Sequence, residues 1–276
     1  MTGRGAIGLL YPGDMGAAVG RCLAEQGHRV LWASAGRSEQ TAARARAAGL
    51  TDAEAATAVA GQAALIVSVC PPHAALDVAR SVAGFAGTYL DANAIAPQTA
   101  RRVAEIVTSG GARYVDGGII GPPPAAPGTT RLYLSGAGAE EVRGLFSGTA
   151  LDARIAGTDP WSASALKMAY AAWTKGSAAL LLAARELAEA EGVGAALTAE
   201  WEISQPGLDA RHRGAEQSAA SKGWRWVGEM AEIAAAMAAD GLPEGFCRAA
   251  GDIFGRYPRS LPEPDRPGGA SNIWAP

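Results

Sequence analysis

Short apolar runs alternate with alanine-rich amphipathic stretches through the first half of the chain. The runs at residues 6–10, 29–33, 65–69, 89–91, 114–116 and 131–135 lack strict two-residue alternation, as strands buried on both faces do. Between them, residues 16–26, 38–48, 74–82 and 98–109 predict crossover helices. Strand–helix–strand repetition of this kind predicts a doubly wound, mostly parallel sheet. The rhythm changes near Gly157. Across residues 162–191 no proline or turn cluster intervenes, and Leu166, Tyr170, Trp173, Leu180, Leu181, Ala184 and Leu187 recur at helical spacing, predicting one long, partly buried helix. Further helices are expected at 195–204, 210–220, 224–239 and 245–254, with no strand among them. The pattern divides the chain into an α/β unit, 1–158, and an all-α unit, 159–257. The proline- and glycine-rich remainder, 258–276, is expected to be a mobile tail.

Composition narrows the picture further. Of 276 residues, 49% are hydrophobic and 18% charged, which suits a packed core and excludes global disorder. A net charge of −3 gives no reason to expect nucleic acid or an anionic membrane as partner. Cys22, Cys70 and Cys247 are scattered and not in metal-ligand spacing, so no metal site is expected, and inert core thiols in a reduced cytoplasm fit them best. The apolar opening at 5–13 is interrupted by Asp14 and has no clean cleavage site after it, and the run at 176–184 is too short to span a bilayer. A soluble, cytoplasmic protein is expected.

Chemistry enters with the stretch GLLYPGDMGAAVG, residues 8–20. In a dinucleotide-binding turn one glycine permits the bend, one lets backbone approach the pyrophosphate, and one lets helix and strand pack closely. Gly13 and Gly16 have the spacing of the second and third, while Tyr11 and Pro12 stand in for the first and its neighbour. The alternative is an ordinary glycine-rich strand–helix turn. Position after a strand, before a helix and at the head of an alternating array favours the cofactor, placing Tyr11, Pro12, Gly13, Asp14 and Met15 around it. After the second strand the chain reads VLWASAGRSEQ, with no acid until Glu39 to hold a ribose. Ser34, Arg37 and Ser38 instead offer the hydroxyls and guanidinium that suit a 2′-phosphate, so NADPH/NADP+ is the expected cofactor. The plainer reading of Arg37 is a solvated loop cation.

These residues resemble the β-hydroxyacid dehydrogenase superfamily, which includes 6-phosphogluconate dehydrogenases and, more distantly, imine reductases. The second half is similar to the uncharacterised domain DUF1932. The resemblance runs from Ala6 to about Tyr257 and rests on five places. PGDMG matches the family's GxMG loop ending. The segment from Asp91 through Asn93 to Pro97 matches D-x-S-T-x-x-P. Val69, Cys70, Pro71 and Pro72 occupy a cofactor-lining loop. DGGIIGPPP, 116–124, stands where the family has D-A-P-V-S-G-G, and Lys167 falls on the catalytic lysine. The resemblance implies an N-terminal Rossmann domain, a long interdomain helix and an all-α C-terminal domain that dimerises, with a cleft between domains completed by the second subunit.

Departures from the family pattern shape the expected substrate. Ile120 replaces the substrate-binding serine and Pro122 a glycine, removing a hydroxyl and an N–H from the turn around Gly121. The family asparagine is Ala171, beside Tyr170. The later lysine–aspartate pair aligns with Gly228 and Glu229, so the carboxylate survives and the lysine is lost. A less cationic, more apolar cleft is expected, walled by Ile119, Ile120, Gly121 and the prolines at 122–124, with Tyr170, Trp173 and Trp224 or Trp226 adding aromatic surface. For any single aromatic, core packing is the plainer reading. Lys167 is expected to protonate the alkoxide left by ketone reduction, and Tyr170, three residues on, to relay the proton. Lys167 otherwise snorkels to solvent. Asn93 is expected to bond the nicotinamide ribose or the substrate, and Glu229 to pair with Lys167 or a cationic substrate. Three readings follow: a carbonyl reductase or alcohol dehydrogenase, an imine reductase, and a catalytically silent NADPH-binding sensor or scaffold.

Overall fold

A computed structural model describes residues 5–257, so the expected tail from Pro258 lies outside the described residues. The chain runs β1 (Ala6–Leu10), α1 (Asp14–Glu25), β2 (Val30–Trp32), α2 (Glu39–Ala47), β3 (Thr51–Asp52), α3 (Ala56–Gln62) and β4 (Ala63–Ser68). A single 3-10 turn then leads into α4 (Ala75–Arg80), β5 (Thr88–Asp91), α5 (Pro97–Ser109), β6 (Arg113–Ile120), β7 (Thr130–Ser135), α6 (Ala139–Leu145) and β8 (Leu151–Ile155). Four helices follow: α7 (Ser162–Ala190), α8 (Gly194–Ser204), α9 (Leu208–Ala239) and α10 (Gly245–Gly255).

The strands form one sheet of order β3-β2-β1-β4-β5-β6-β7-β8, parallel throughout except where β7 runs against β6. Apolar side chains pack on both of its faces, as the unbroken runs predicted, and a third core lies among α7, α9 and α10. Four elements escaped the sequence pattern. Strand β3 has two exposed residues, α3 and α6 are seven residues each, and β8 buries fully only Leu151. Elements that short carry too few positions for periodicity to register.

The two largest departures from the expected boundaries both involve glycine. Strand β6 continues past Asp116 to Ile120, because β7 pairs with its last residues, Ile119 against Leu132 and Ile120 against Arg131. The segments 210–220 and 224–239 are one 32-residue helix. Gly223 is not a break there: a β-carbon on it would stand 2.9 Å from that of Tyr257, so it permits close packing.

Similar packing seats α7 on the sheet. A β-carbon at Gly118 would lie 2.8 Å from the Ala163 carbonyl oxygen and 3.0 Å from the Lys167 β-carbon. The start of α7 is then tied down by Asp116, whose Oδ2 accepts from the Ser164 N–H at 2.8 Å and the Ser164 hydroxyl at 3.0 Å. The Ser135 hydroxyl lies 3.1 Å from the same oxygen and accepts from the Ala163 N–H. An acid at a helix N-terminus meets unpaired N–H groups and the positive end of the dipole. Asp91 sits directly across the β5–β6 pairing from Asp116 and accepts from the Asn93 N–H and the Tyr114 hydroxyl. Burial, reinforced by Asp116, pushes the Asp91 carboxyl up to about 7, and burial pushes Asp116 up to about 6.

Both native carboxyls therefore hold protons at a pH where the unfolded chain has lost them, so rising pH through that window costs stability. Wild-type protein is expected to lose urea resistance relative to Asp91→Asn as pH rises from about 5 to about 8. A gap between the two that is the same at both pH values would refute this account of the pair.

Candidate active site

The strand order reverses between β1 and β4, and the loops leaving their carboxyl ends flank a crevice, the usual place for a ligand in a doubly wound sheet. After β1, Tyr11 adopts φ +73°, the left-handed conformation that a glycine takes without strain. Its carbonyl accepts from the Gly13 N–H at 2.8 Å and would stand 2.5 Å from any β-carbon on Gly16. Pro12 is buried behind this turn, and Met15 packs against the sheet core. Gly13 precedes α1 with no side-chain cap and open space where a β-carbon would go. Uncapped N–H groups with room before them fit a dinucleotide pyrophosphate. Asp14, the acid in that first turn, is bound to Arg44 at 2.8 Å, which offsets its charge beside the site.

The loop after β2 brings Arg37 back over this turn, its guanidinium carbon 4.3 Å from the Tyr11 ring centroid. Ser38 caps α2, accepting from the Thr41 N–H. Ser34 lies near the Asp52 side chain, which accepts from the Glu54 N–H at 2.8 Å. Burial acts to raise that carboxyl, but the Ser34 hydroxyl and the neighbouring backbone N–H groups hold it below its usual range. Asp52 was missed in the sequence because it belongs to β3, and only the register Trp32↔Asp52 carries it beside the end of β2.

On the other lip, Asn93 organises the loop of Val69, Cys70, Pro71 and Pro72. Its Oδ1 accepts from the Cys70 N–H at 2.6 Å, and its Nδ2 donates to the Ser68 hydroxyl at 3.1 Å. Asn93 is almost fully buried, so the expectation that it reaches cofactor or substrate gives way to a scaffolding position. Val69 lies close to Gly16 across the crevice, 3.6 Å from where a β-carbon would stand. Burial, with Asp91 adding to it, pushes the Cys70 thiol up to about 12, which keeps it unreactive. Helix α9 closes the crevice from the helical side. The Ala96 N–H at the head of α5 donates to Glu232 at 2.7 Å, and Pro72 lies beside Gly228.

Lys167 is partly buried at this junction, and its Nζ donates to the Ile119 carbonyl at 2.9 Å. Burial pushes its amine down to about 8, with Lys175 reinforcing the shift and Glu229 opposing it. Glu229 pairs with Lys175, not Lys167, at 2.6 Å between two largely buried side chains. Burial acts to raise the Glu229 carboxyl, but Lys175 and then Lys167 overcome it and keep it below its usual range. The lysine counted as lost from α9 is thus restored by α7, and Lys175 also lies 5.8 Å from the Trp226 ring, itself edge-on to Phe254.

Several expected substrate contacts are rearranged. Tyr170 and Trp173 are 44% and 69% exposed and share an outward stripe of α7 with Leu166. Among the described residues no hydrogen bond joins Tyr170 to Lys167, because a three-residue step turns Tyr170 outward while Lys167 faces β6. The Ile119 side chain lies in the sheet core, so it offers its carbonyl and not an apolar wall. Ile120 is buried, and Gly121 turns the chain with φ +126°. The prolines that follow fold back: Pro122 accepts from the Thr130 hydroxyl and Pro124 from Arg21 on α1. A cavity of about 320 Å³ lined by Ile7, His28, Thr88, Arg113 and Glu141 lies at the opposite, amino-terminal edge of the sheet. None of the lysines opens onto it. What the junction can do chemically is exchange a proton near neutral pH within an apolar enclosure.

Residues 5–147 match a family model described as the NAD binding domain of 6-phosphogluconate dehydrogenase, and residues 188–257 match a domain of unknown function, DUF1932. Among solved structures, a conserved protein of unknown function, described as structurally similar to 3-hydroxyacid dehydrogenases, is 26% identical with TM-score 0.69, over 91% of this chain and 96% of that one. The 3-hydroxyisobutyrate dehydrogenase of Mycobacterium tuberculosis is 19% identical with TM-score 0.71, over 92% and 94%. A reductive aminase from Aspergillus terreus, solved with NADPH and ethyl levulinate, is 24% identical with TM-score 0.60, over 92% and 93%. At these identities the last two speak for the fold. No curated protein matches the chain.

The cluster of Lys167, Lys175 and Glu229, with Arg225 beside the carboxylate, makes a signed prediction. Lys175→Met frees Glu229 to hold the Lys167 proton, so the Lys167 midpoint is expected to rise above about 8, while Glu229→Gln lowers it. Competitive acetylation across pH, read on the Lys167 peptide by mass spectrometry, measures both. Midpoints that coincide in all three proteins would dismiss the coupling.

Proposed function

The chain belongs to the family of the NAD binding domain of 6-phosphogluconate dehydrogenase, and on that footing we propose that it is an NADPH-dependent oxidoreductase acting on a small, relatively apolar carbonyl or alcohol, with Lys167 as general acid and base. The observation that carries this reading is the buried amine of Lys167, held on the Ile119 carbonyl where the crevice meets the helices. A nicotinamide cofactor, when bound, supplies or accepts the hydride. In the reducing direction Lys167 gives a proton to the substrate oxygen as negative charge develops there, and in the oxidising direction it takes that proton away. Of its three N–H donors, Ile119 engages one, which orients the rest. An amine brought down to about 8 exchanges protons far more readily than one near its ordinary value.

The surroundings favour C=O over C=N. Glu229 would be the counter-ion for an iminium, but Lys175 already occupies it. Ile120 offers no hydroxyl and Pro122 no N–H, so a carboxylate on the substrate lacks part of that turn as an anchor. A silent sensor would have no use for an ionisable group maintained in a buried apolar place. The Asp52 carboxylate beside Ser34 favours a second cofactor reading, NADH, since it can accept from a ribose and would repel a 2′-phosphate. Arg37 carries the balance toward NADPH. The exposed stripe of Leu166, Tyr170, Trp173, Leu180 and Leu187 on α7 suits a second copy of the chain, which would complete the cleft with its own surface.

Lys167→Met is expected to lower kcat by about 10²- to 10⁴-fold across an aldehyde and ketone panel while NADPH affinity stays within about twofold. Retained turnover, or turnover lost together with cofactor binding, would remove Lys167 from the chemistry. Arg37→Ala is expected to weaken NADPH roughly tenfold or more in fluorescence titration and to leave NADH unchanged. Equal weakening of both would make Arg37 a loop-packing residue and return the choice to Asp52.

A further inference from the structure

The geometry points to Tyr11 as a specificity-determining residue: its ring is the platform that holds the Arg37 guanidinium over the glycine turn to take a 2′-phosphate, an inference that rests on the NADPH reading above. Two independent features of Tyr11 lead there. The first is its backbone. At φ +73° a bulky aromatic is a true outlier, and such strain persists only where the surroundings over-determine it. A glycine would adopt this turn without strain, so the bend alone gives no reason for a tyrosine.

The second feature is what the ring touches. The Arg37 guanidinium carbon lies over the ring, 4.3 Å from its centroid, and the partly buried Tyr11 packs against the core that includes Leu10 and Ile66. Arg37 itself sits in an exposed turn, its N–H bonded to the Ser34 carbonyl and its neighbour Gly36 at φ +71°. A long cation on such a turn otherwise spreads over many rotamers, and ordering it on a ligand would carry the full entropic penalty. A cation–π contact restrains the guanidinium without consuming its N–H donors on an acceptor, which leaves them for a phosphate. Among the described residues Arg37 is in no ion pair, so its charge is not already neutralised.

Asp52 makes the platform necessary. Its carboxylate, near Ser34 and bonded to the Glu54 N–H, puts a negative charge beside the same loop. A loosely tethered arginine would be offset by that charge, whereas one held in place dominates at short range. The tyrosine therefore decides which of two opposed neighbours the cofactor meets first.

The test uses the full chain and two fragments, 2′,5′-ADP and 5′-ADP, titrated calorimetrically into wild type, Tyr11→Phe, Tyr11→Leu, Tyr11→Gly and Arg37→Ala. Wild type is expected to prefer 2′,5′-ADP, and Tyr11→Phe, which keeps the ring, to retain that preference. Tyr11→Leu and Tyr11→Gly are expected to lose roughly threefold to tenfold in 2′,5′-ADP affinity with 5′-ADP unchanged. Tyr11→Gly relieves the backbone strain, so it keeps the test clear of misfolding. If Arg37→Ala abolishes the preference and both ring-less variants keep it, the inference falls and the NADPH reading stands. If the ring-less variants weaken both fragments equally, Tyr11 merely shapes the turn and the inference falls. If wild type shows no preference at all, the NADPH reading fails and takes the inference with it.

Discussion

Helix α7 can lie directly on strand β6 because Gly118 presents no side chain there. That close approach, fixed at the helix start by the Asp116 carboxylate, sets the position of everything that gives the site its character. It brings the Lys167 amine to the Ile119 carbonyl, and it places the rest of α7 where α9 and α10 pack against it. A side chain at 118 would lift the helix, and the lysine would lose both its partner and its enclosure. The buried acids at 91 and 116 belong to the same arrangement. They accept hydrogen bonds from α7, Asn93 and Tyr114, yet burial outweighs those bonds, which is why their carboxyls sit so high.

Charge in the enclosure is balanced by position in space, not by which helix supplies it. Glu229 on α9 is met by Lys175 on α7, two turns beyond Lys167. This leaves Lys167 without a close acidic partner, desolvated and held by a neutral carbonyl. Burial without a close acidic partner is what lets the Lys167 amine give its proton up more easily than an ordinary lysine. An amine tuned in this way is the kind of group that proton-coupled hydride chemistry requires.

The cofactor side shows a different economy. Tyr11 accepts a backbone conformation suited to glycine and in return carries a ring under Arg37. Asn93, which by motif faces the ligand, instead ties the β4 and β5 loops together through Cys70 and Ser68. Both lips of the crevice are therefore shaped by side chains acting on neighbouring loops, and α9 adds Glu232 from across the junction.

The architecture was legible in the chain itself. Uninterrupted apolar runs separated by amphipathic stretches specify a parallel sheet clothed by helices, and the long periodic stretch from Ser162 specifies α7, because burial on two faces or one stripe writes itself directly into residue order. The glycine turn was legible for a related reason, because it depends on local spacing, whereas Lys167 was singled out by family resemblance. What residue order left open is what depends on side chains that meet from distant elements. The gap left between the segments at 210–220 and 224–239 is helix, with Gly223 a packing contact; Glu229 reads as a partner for Lys167 and belongs to Lys175; Asp52 reads as nothing until β3 pairs with β2. Tyr170 shares a helix with Lys167 and yet faces the other way. Local periodicity determines which elements form, whereas short-range electrostatics and packing act through space, so only the folded arrangement decided which charges and rings would become neighbours.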